Sequence, residues 1–171
     1  MCLPYIDVLF GIEPYHLWKD VNNHELGDAK DEQDHQTGDV KDGVPFQPDF
    51  KQQDEVFHGF VKRYPNIKCI ARHVRYAHSC SENSLMAYLW YDGKTYESQK
   101  LRFHILDRVG GGDAFVSGII YALMNEYKPQ DIADFGVAES AVKHTIHGDG
   151  NITDDVSLIE HIMQMNFDIK R

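Results

Sequence analysis

Three consecutive glycines, Gly110, Gly111 and Gly112, stand between a strand-patterned segment and a helix-patterned one, and Asp113 follows them directly. Leu101 to Leu106 reads as the strand, and apolar residues recur at helical spacing from Ala114 to about Glu126. Three adjacent glycines cost backbone entropy on folding, so a plain strand-to-helix turn does not require all of them. Without Cβ atoms the backbone amides of such a turn lie open at a helix N-terminus. Free N–H groups and the helix dipole there favour an anion. The turn therefore constrains fold and chemistry together: a strand must lead into a helix, and the place where it does so suits phosphate.

The rest of the chain repeats the alternation. Cys2 to Gly11, CLPYIDVLFG, is nearly continuous in apolar residues. It is expected to form a strand buried on both faces inside a parallel sheet, with the chain beginning partway through a larger fold. Residues 20–55 are dominated by Asp and Glu with glycines between, and read as an acidic, flexible insertion; no EF-hand spacing is present. From Pro48 to Tyr64, the spacing of Phe57, Phe60, Val61 and Tyr64 predicts a helix with one buried stripe, ended by Pro65-Asn66. Ile67 to Val74 is the next strand. Leu85 to Tyr91 and Lys94 to Ser98 flank Asp92-Gly93, the signal of a type I′ hairpin. Pro129 and Asp131 open a helix towards Thr145, and a last helix starts near Thr153 with Val156, Ile159, Ile162 and Met163 inward. The expected class is α/β, a mainly parallel sheet covered by helices on both faces, with one β-hairpin. An interior strand at the start would leave an unpaired edge, so self-association into a homo-oligomer is a further expectation.

Composition excludes several functions. The 171 residues fit one ordinary domain. Seventeen Lys and Arg against 27 Asp and Glu give a net charge of −10, which argues against nucleic-acid and anionic-membrane partners. No apolar run approaches the length of a membrane span. Cys2, Cys69 and Cys80 are widely spaced and odd in number, and the N-terminus lacks a signal-peptide pattern. A reducing, cytoplasmic setting is expected. The ten histidines show no metal-ligand spacing, and Trp18 and Trp90 read as packing residues.

Asp113 can be read in two ways: as a helix cap, or as a general base standing beside an anion cradle. Phosphoryl transfer needs little more than the second arrangement, because its transition state is stabilised mainly by positioning and charge neutralisation. The turn is neither a Walker A loop nor a G-x-G-x-x-G motif. DRVGGGDAF resembles the second signature of the ribokinase-like (PfkB) carbohydrate kinases, and looks most like that of 2-keto-3-deoxygluconate kinases. CLPYIDVLFG, YDGKTYES and AVKHTIHGD resemble further segments of the same enzymes, so the likeness extends over nearly the whole chain while covering only the C-terminal half of such a kinase.

The resemblance implies that residues 1–171 are the nucleotide-binding half of a sugar kinase. It makes Asp113 the catalytic base and Gly110, Gly111 and Gly112 the anion hole. Asp107, Arg108 and Glu13 would lie near phosphates and Mg²⁺, with no direct protein ligand to the metal. Glu13 is what matches of the family's N-E-E-D-like segment, and Arg108 stands where many relatives carry Thr. Arg75, Ala141, Gly148 and Asp149 would line the nucleotide; His73 replaces a Thr common in relatives. The implied reaction moves the γ-phosphoryl of ATP to a hydroxyl of 2-keto-3-deoxygluconate, giving the 6-phosphate. ATP and Mg²⁺ would be cofactors, with a monovalent cation near the loop from Ile146 to Asn151. A sugar acid and ATP would be the partners. Two alternatives stay open: a non-catalytic remnant or interaction fragment of such a kinase, and a family member acting on another sugar.

Overall fold

In a computed structural model of the chain, residues 3–11, 49–151 and 155–164 are described. A short 3-10 turn, Leu3–Tyr5, leads into β1 (Val8–Phe10). Then come α1 (Phe50–Arg63), β2 (Cys69–Ala77), β3 (Glu82–Tyr91), β4 (Lys94–Glu97) and β5 (Leu101–His104). The helices α2 (Gly111–Met124), α3 (Pro129–Lys143) and α4 (Val156–Gln164) complete the described elements.

β3 is the spine of the sheet, and all its interior positions are buried. Its side chains alternate between two helical layers, as a pleated strand requires. Leu85, Ala87 and Leu89 join Cys69 and Ala71 of β2 against α2, α3 and α4. Met86, Tyr88 and Trp90 join Ile70 and Val74 against Val56, Phe57 and Phe60 of α1. Helices thus cover both faces, as expected.

The mainly parallel sheet is corrected to a mixed one. Among the described strands only β1–β2 is parallel; β2–β3, β3–β4 and β3–β5 are antiparallel. The connections decide this. Residues 78–81 and Asp92-Gly93 are too short for a crossover and can only reverse the chain. Asp92 and Gly93 have φ of +48° and +79°, the hairpin geometry read from the sequence. β4 and β5 lie end to end along the same edge of β3. They are interrupted where the Ser98 hydroxyl accepts from the Ala87 amide (2.7 Å) and donates to the Gln99 carbonyl (2.8 Å).

Three further expectations change. β1 is a half-buried strand of three residues paired with β2, not a strand enclosed on both faces. The acidic stretch expected through residue 55 closes earlier: Asp49 caps α1 and residues 50–55 are its first turns, while residues 20–48 lie outside the described residues. The cap is reciprocal, with Asp49 Oδ1 accepting from the Gln52 amide at 2.7 Å and Gln52 Oε1 from the Asp49 amide at 3.4 Å. In α4 only Ile159 is buried, because the helix touches the core by one edge. No helix among the described residues is long and apolar enough to cross a membrane.

The contact that positions the site is the crossing of α2 on α3. A Cβ on Gly118 would lie 3.0 Å from Gly136 Cα, and one on Gly136 would lie 2.7 Å from Ile119 Cδ1. Backbones this close carry the last turn of α3 to the first turn of α2, where the Ser140 hydroxyl donates to the Gly111 carbonyl at 2.8 Å. Gly118→Val is therefore expected to destabilise the chain by about 1–3 kcal/mol through overpacking. The change would appear as a lower urea midpoint at unchanged slope; an unchanged midpoint would mean the crossing is loose.

Candidate active site

Gly110 is the N-cap of α2, in the left-handed region at φ +78°, with no side-chain cap bond. Its carbonyl accepts from the Ala114 amide at 2.9 Å. The amides of Gly111, Gly112 and Asp113, the first three of the helix, have no intrahelical acceptor. The three glycines answer to different demands. A Cβ on Gly110 would sit 2.5 Å from the Asp149 carbonyl oxygen and 3.1 Å from Lys143 Cε. One on Gly111 would strike the His144 ring at 2.3 Å. One on Gly112 would meet nothing within 4 Å. Two glycines are thus required by packing, and the third leaves backbone open to solvent.

Asp113 is exposed on the first turn of α2, and its side chain makes no hydrogen bond or ion pair among the described residues. Of the two roles left open for it, capping by hydrogen bond is not observed. Asp107, by contrast, is fully engaged. Its Oδ1 accepts from the Val109 amide (3.1 Å) and its Oδ2 from the Gly148 amide (2.9 Å). The Val109 bond first, then the Gly148 bond, hold its carboxyl below the usual carboxylate range. The His144 carbonyl accepts from the amides of Leu106 (2.8 Å) and Asp107 (3.2 Å). The loop after α3 is thereby fastened to the glycine turn, with Gly148 and Asp149 exposed behind Gly110.

A cleft of about 350 Å³ opens in front, lined by His73, Arg75, Leu85, Arg108, Gly111, Gly112 and His144. Arg108 donates to the Cys80 carbonyl at 3.0 Å, bridging the cleft mouth to the β2–β3 turn. Arg75 has no hydrogen bond or ion pair among the described residues. His144 is buried, and its Nδ1 donates to the Ser140 carbonyl at 2.7 Å, leaving Nε2 as the lone-pair nitrogen. Burial pushes its pKa below the ordinary value, against a rise from the Ser140 bond, and Arg75, Lys143 and Arg108 push the same way as burial. His73 packs its ring 4.9 Å from that of Phe115 and is likewise lowered, by burial first and then by Arg72, His144 and Arg75. The cleft joins two guanidinium groups, two imidazoles whose pKa values are pushed down and a helix N-terminus, and no carboxylate lines it. Such a set is chemically suited to an anion.

A second cleft of about 300 Å³, mostly apolar, holds Ala141 together with Phe103, Val142, Thr145, Leu158 and Ile162. The Phe103 ring lies 5.1 Å from that of His144, so one side-chain contact separates the apolar cleft from the cationic one. The structure thus brings Arg75, Arg108, Gly111 and Gly112 into one cleft with Asp113 on the adjoining turn. Gly110, Asp107, Gly148 and Asp149 lie behind the turn, and Ala141 in the neighbouring cleft. Glu13 lies outside the described residues. Sequence reading left His144 among the histidines without metal-ligand spacing and passed over Lys143; their position at the end of α3, just before the loop, was the available signal.

Comparison with known proteins agrees with this architecture. The chain is 31% identical over 71 residues to the 5-dehydro-2-deoxygluconokinase of Clostridium botulinum, a match covering 42% of this chain and 20% of that protein. The 2-dehydro-3-deoxygluconokinase structure from Thermotoga maritima superposes with a TM-score of 0.71 at 24% identity, covering 94% of this chain and 43% of that one. A structure from Enterococcus faecalis, provisionally assigned as a 2-keto-3-deoxygluconate kinase, gives 0.67 at 26% identity, covering 99% and 44%. The chain is similar over part of its length to ketodeoxygluconate kinases and, in fold, to a PfkB family carbohydrate kinase. Its fold is the ribokinase-like α/β fold, and it spans less than half the length of these solved PfkB-type chains. No family model matches it.

The two lowered imidazoles set a pH dependence. Their folded pKa values lie below the unfolded ones, so between the two the unfolded chain binds more protons and stability rises with pH. Urea midpoints taken from about pH 7.5 down to about pH 5.5 should fall less steeply for His73→Asn than for the unaltered chain. Equal slopes would remove His73 from the account.

Proposed function

We propose that this chain supplies the phosphoryl-transfer side of an ATP-dependent sugar-acid kinase, with Asp113 as general base. The observation that carries the reading is an exposed, unengaged carboxylate on the same helical turn as the open backbone of Gly112, beside a cleft bearing Arg75 and Arg108. Asp113 takes the proton of an acceptor hydroxyl as its oxygen bonds to the γ-phosphorus of ATP. The bond to the β–γ bridging oxygen breaks, and ADP leaves. The amides of the glycine turn and the two guanidinium groups neutralise charge on the migrating group. The phosphates of ATP suit the cationic cleft, and its base suits the apolar one at Ala141 and Val142, with Gly148 and Asp149 on the loop alongside.

Mg²⁺ neutralises phosphate charge when present. Among the described residues no three His, Cys, Asp or Glu side chains cluster to hold it, and both Asp107 oxygens are occupied by amides. On this reading it arrives as the chelate of the nucleotide.

The substrate favoured is a ketodeoxygluconate. The names of the similar proteins differ in where the keto and deoxy carbons lie. The residues gathered here act on the phosphoryl group and on the hydroxyl that receives it, features common to both isomers. We favour the 2-keto-3-deoxy acid, which the DRVGGGDAF turn supports, with the 5-keto-2-deoxy acid as the comparison substrate.

Two experiments test the reading. In phosphorylation assays with ATP and each acid, Asp113→Asn should lower kcat by roughly two to four orders of magnitude with little change in ATP affinity. Turnover near the unaltered rate would dismiss Asp113 as the base. In calorimetric titrations, Gly112→Val should weaken ATP and pyrophosphate together while sparing adenosine, because a Cβ there fits the fold but obstructs the amides. Equal binding of all three by the variant would detach the glycine turn from phosphate.

A further inference from the structure

Lys143 is the most deeply buried cation among the described residues, at 0% exposure, and none of the roles above uses it. It has no carboxylate within ion-pair distance among the described residues. Its Nζ donates to two carbonyl oxygens of the following loop, Gly148 at 2.6 Å and Ile146 at 3.2 Å. Burying an ammonium is costly unless oxygen ligands replace its water, and converging backbone carbonyls are a common way of replacing the hydration of a monovalent ion. The same loop is held from its other side by Asp107, whose Oδ2 accepts from the Gly148 amide. Lys143 Cε also lies 3.1 Å from where a Cβ on Gly110 would be, so the side chain runs directly behind the N-cap of α2.

A free monovalent cation was expected at this loop, but the carbonyl oxygens of Ile146 and Gly148 both accept from Lys143 Nζ. We propose that Lys143 is a tethered replacement for that ion: a positioning residue whose ammonium holds the 146–149 loop against the glycine turn, so that anion binding there needs no free monovalent cation. The inference rests on the phosphate-binding reading of the turn, and the test separates the two.

Pyrophosphate is titrated calorimetrically into the chain in tetramethylammonium chloride, then in potassium or ammonium chloride of equal ionic strength. The unaltered chain should bind alike in all three salts, within about twofold. Lys143→Met, with folding checked by circular dichroism, should bind roughly tenfold or more weakly in tetramethylammonium. Potassium or ammonium should restore most of that loss by entering the vacated oxygen cage. A side chain that merely fills space would give no such ion-specific recovery.

A requirement for potassium in the unaltered chain would overturn the proposal without recourse to any variant. So would a Lys143→Met chain that binds normally, or a folded one that stays weak in every salt. Absence of pyrophosphate binding by the unaltered chain in all salts would overturn the phosphate reading itself, and this inference with it.

Discussion

The site depends on one contact, the last turn of α3 lying on the first turn of α2. Gly118 and Gly136 let the two backbones approach, and the Ser140 hydroxyl closes the junction on the Gly111 carbonyl. The consequence is electrostatic as well as steric. The C-terminal end of α3, the negative end of its dipole, is brought to the N-terminal end of α2, where amides lack intrahelical acceptors. Lys143 and His144 fill the space between. His144 receives Gly111 against its ring and offers its carbonyl to the amides of Leu106 and Asp107. A loosening of this crossing would displace the glycine turn, the Asp107 staple and the loop at Gly148 together.

Net charge is a poor guide to such a place. The chain carries −10 overall, yet the residues lining the cleft include two arginines and no carboxylate. Exposed charges farther away than about 10 Å are largely screened at ordinary salt, so the local set governs what binds. A composition that argues against nucleic acid and a cleft suited to a compact polyanion are therefore compatible. Asp113, next to the cleft but not lining it, adds a single negative charge where an acceptor hydroxyl would have to lose its proton.

What the sequence made legible was local. The glycine turn, the Asp92-Gly93 hairpin and the apolar stripe of α1 follow from spacing within one segment, and Phe57 and Phe60 are buried where periodicity put them, whereas α3 is buried nearly all round. Strand direction was not legible, because a buried strand reads alike in parallel and antiparallel sheets; only the short connections at residues 78–81 and 92–93 decide it. The distinct duties of the three glycines were hidden for a similar reason. Gly111 is fixed by a histidine thirty-three positions onward, and Gly110 by a loop still farther along. Lys143, in the last turn of a helix, has the sequence signature of an ordinary exposed C-terminal cation. Its burial follows from the fold of the loop after it.

That loop also shows why a lysine suits this position. A free ion must be drawn from solution each time the loop closes, and its occupancy follows ion concentration. A tethered ammonium is delivered by the helix itself, and its translational entropy has already been lost in folding. The desolvation of the charge is met by the carbonyls of Ile146 and Gly148, by the nearby Asp107 carboxylate and by the negative end of α3. The cost of the arrangement is rigidity: a lysine of fixed reach permits one loop position. For a loop whose task is to keep Gly148 and Asp149 against a glycine turn, one position is what the geometry requires.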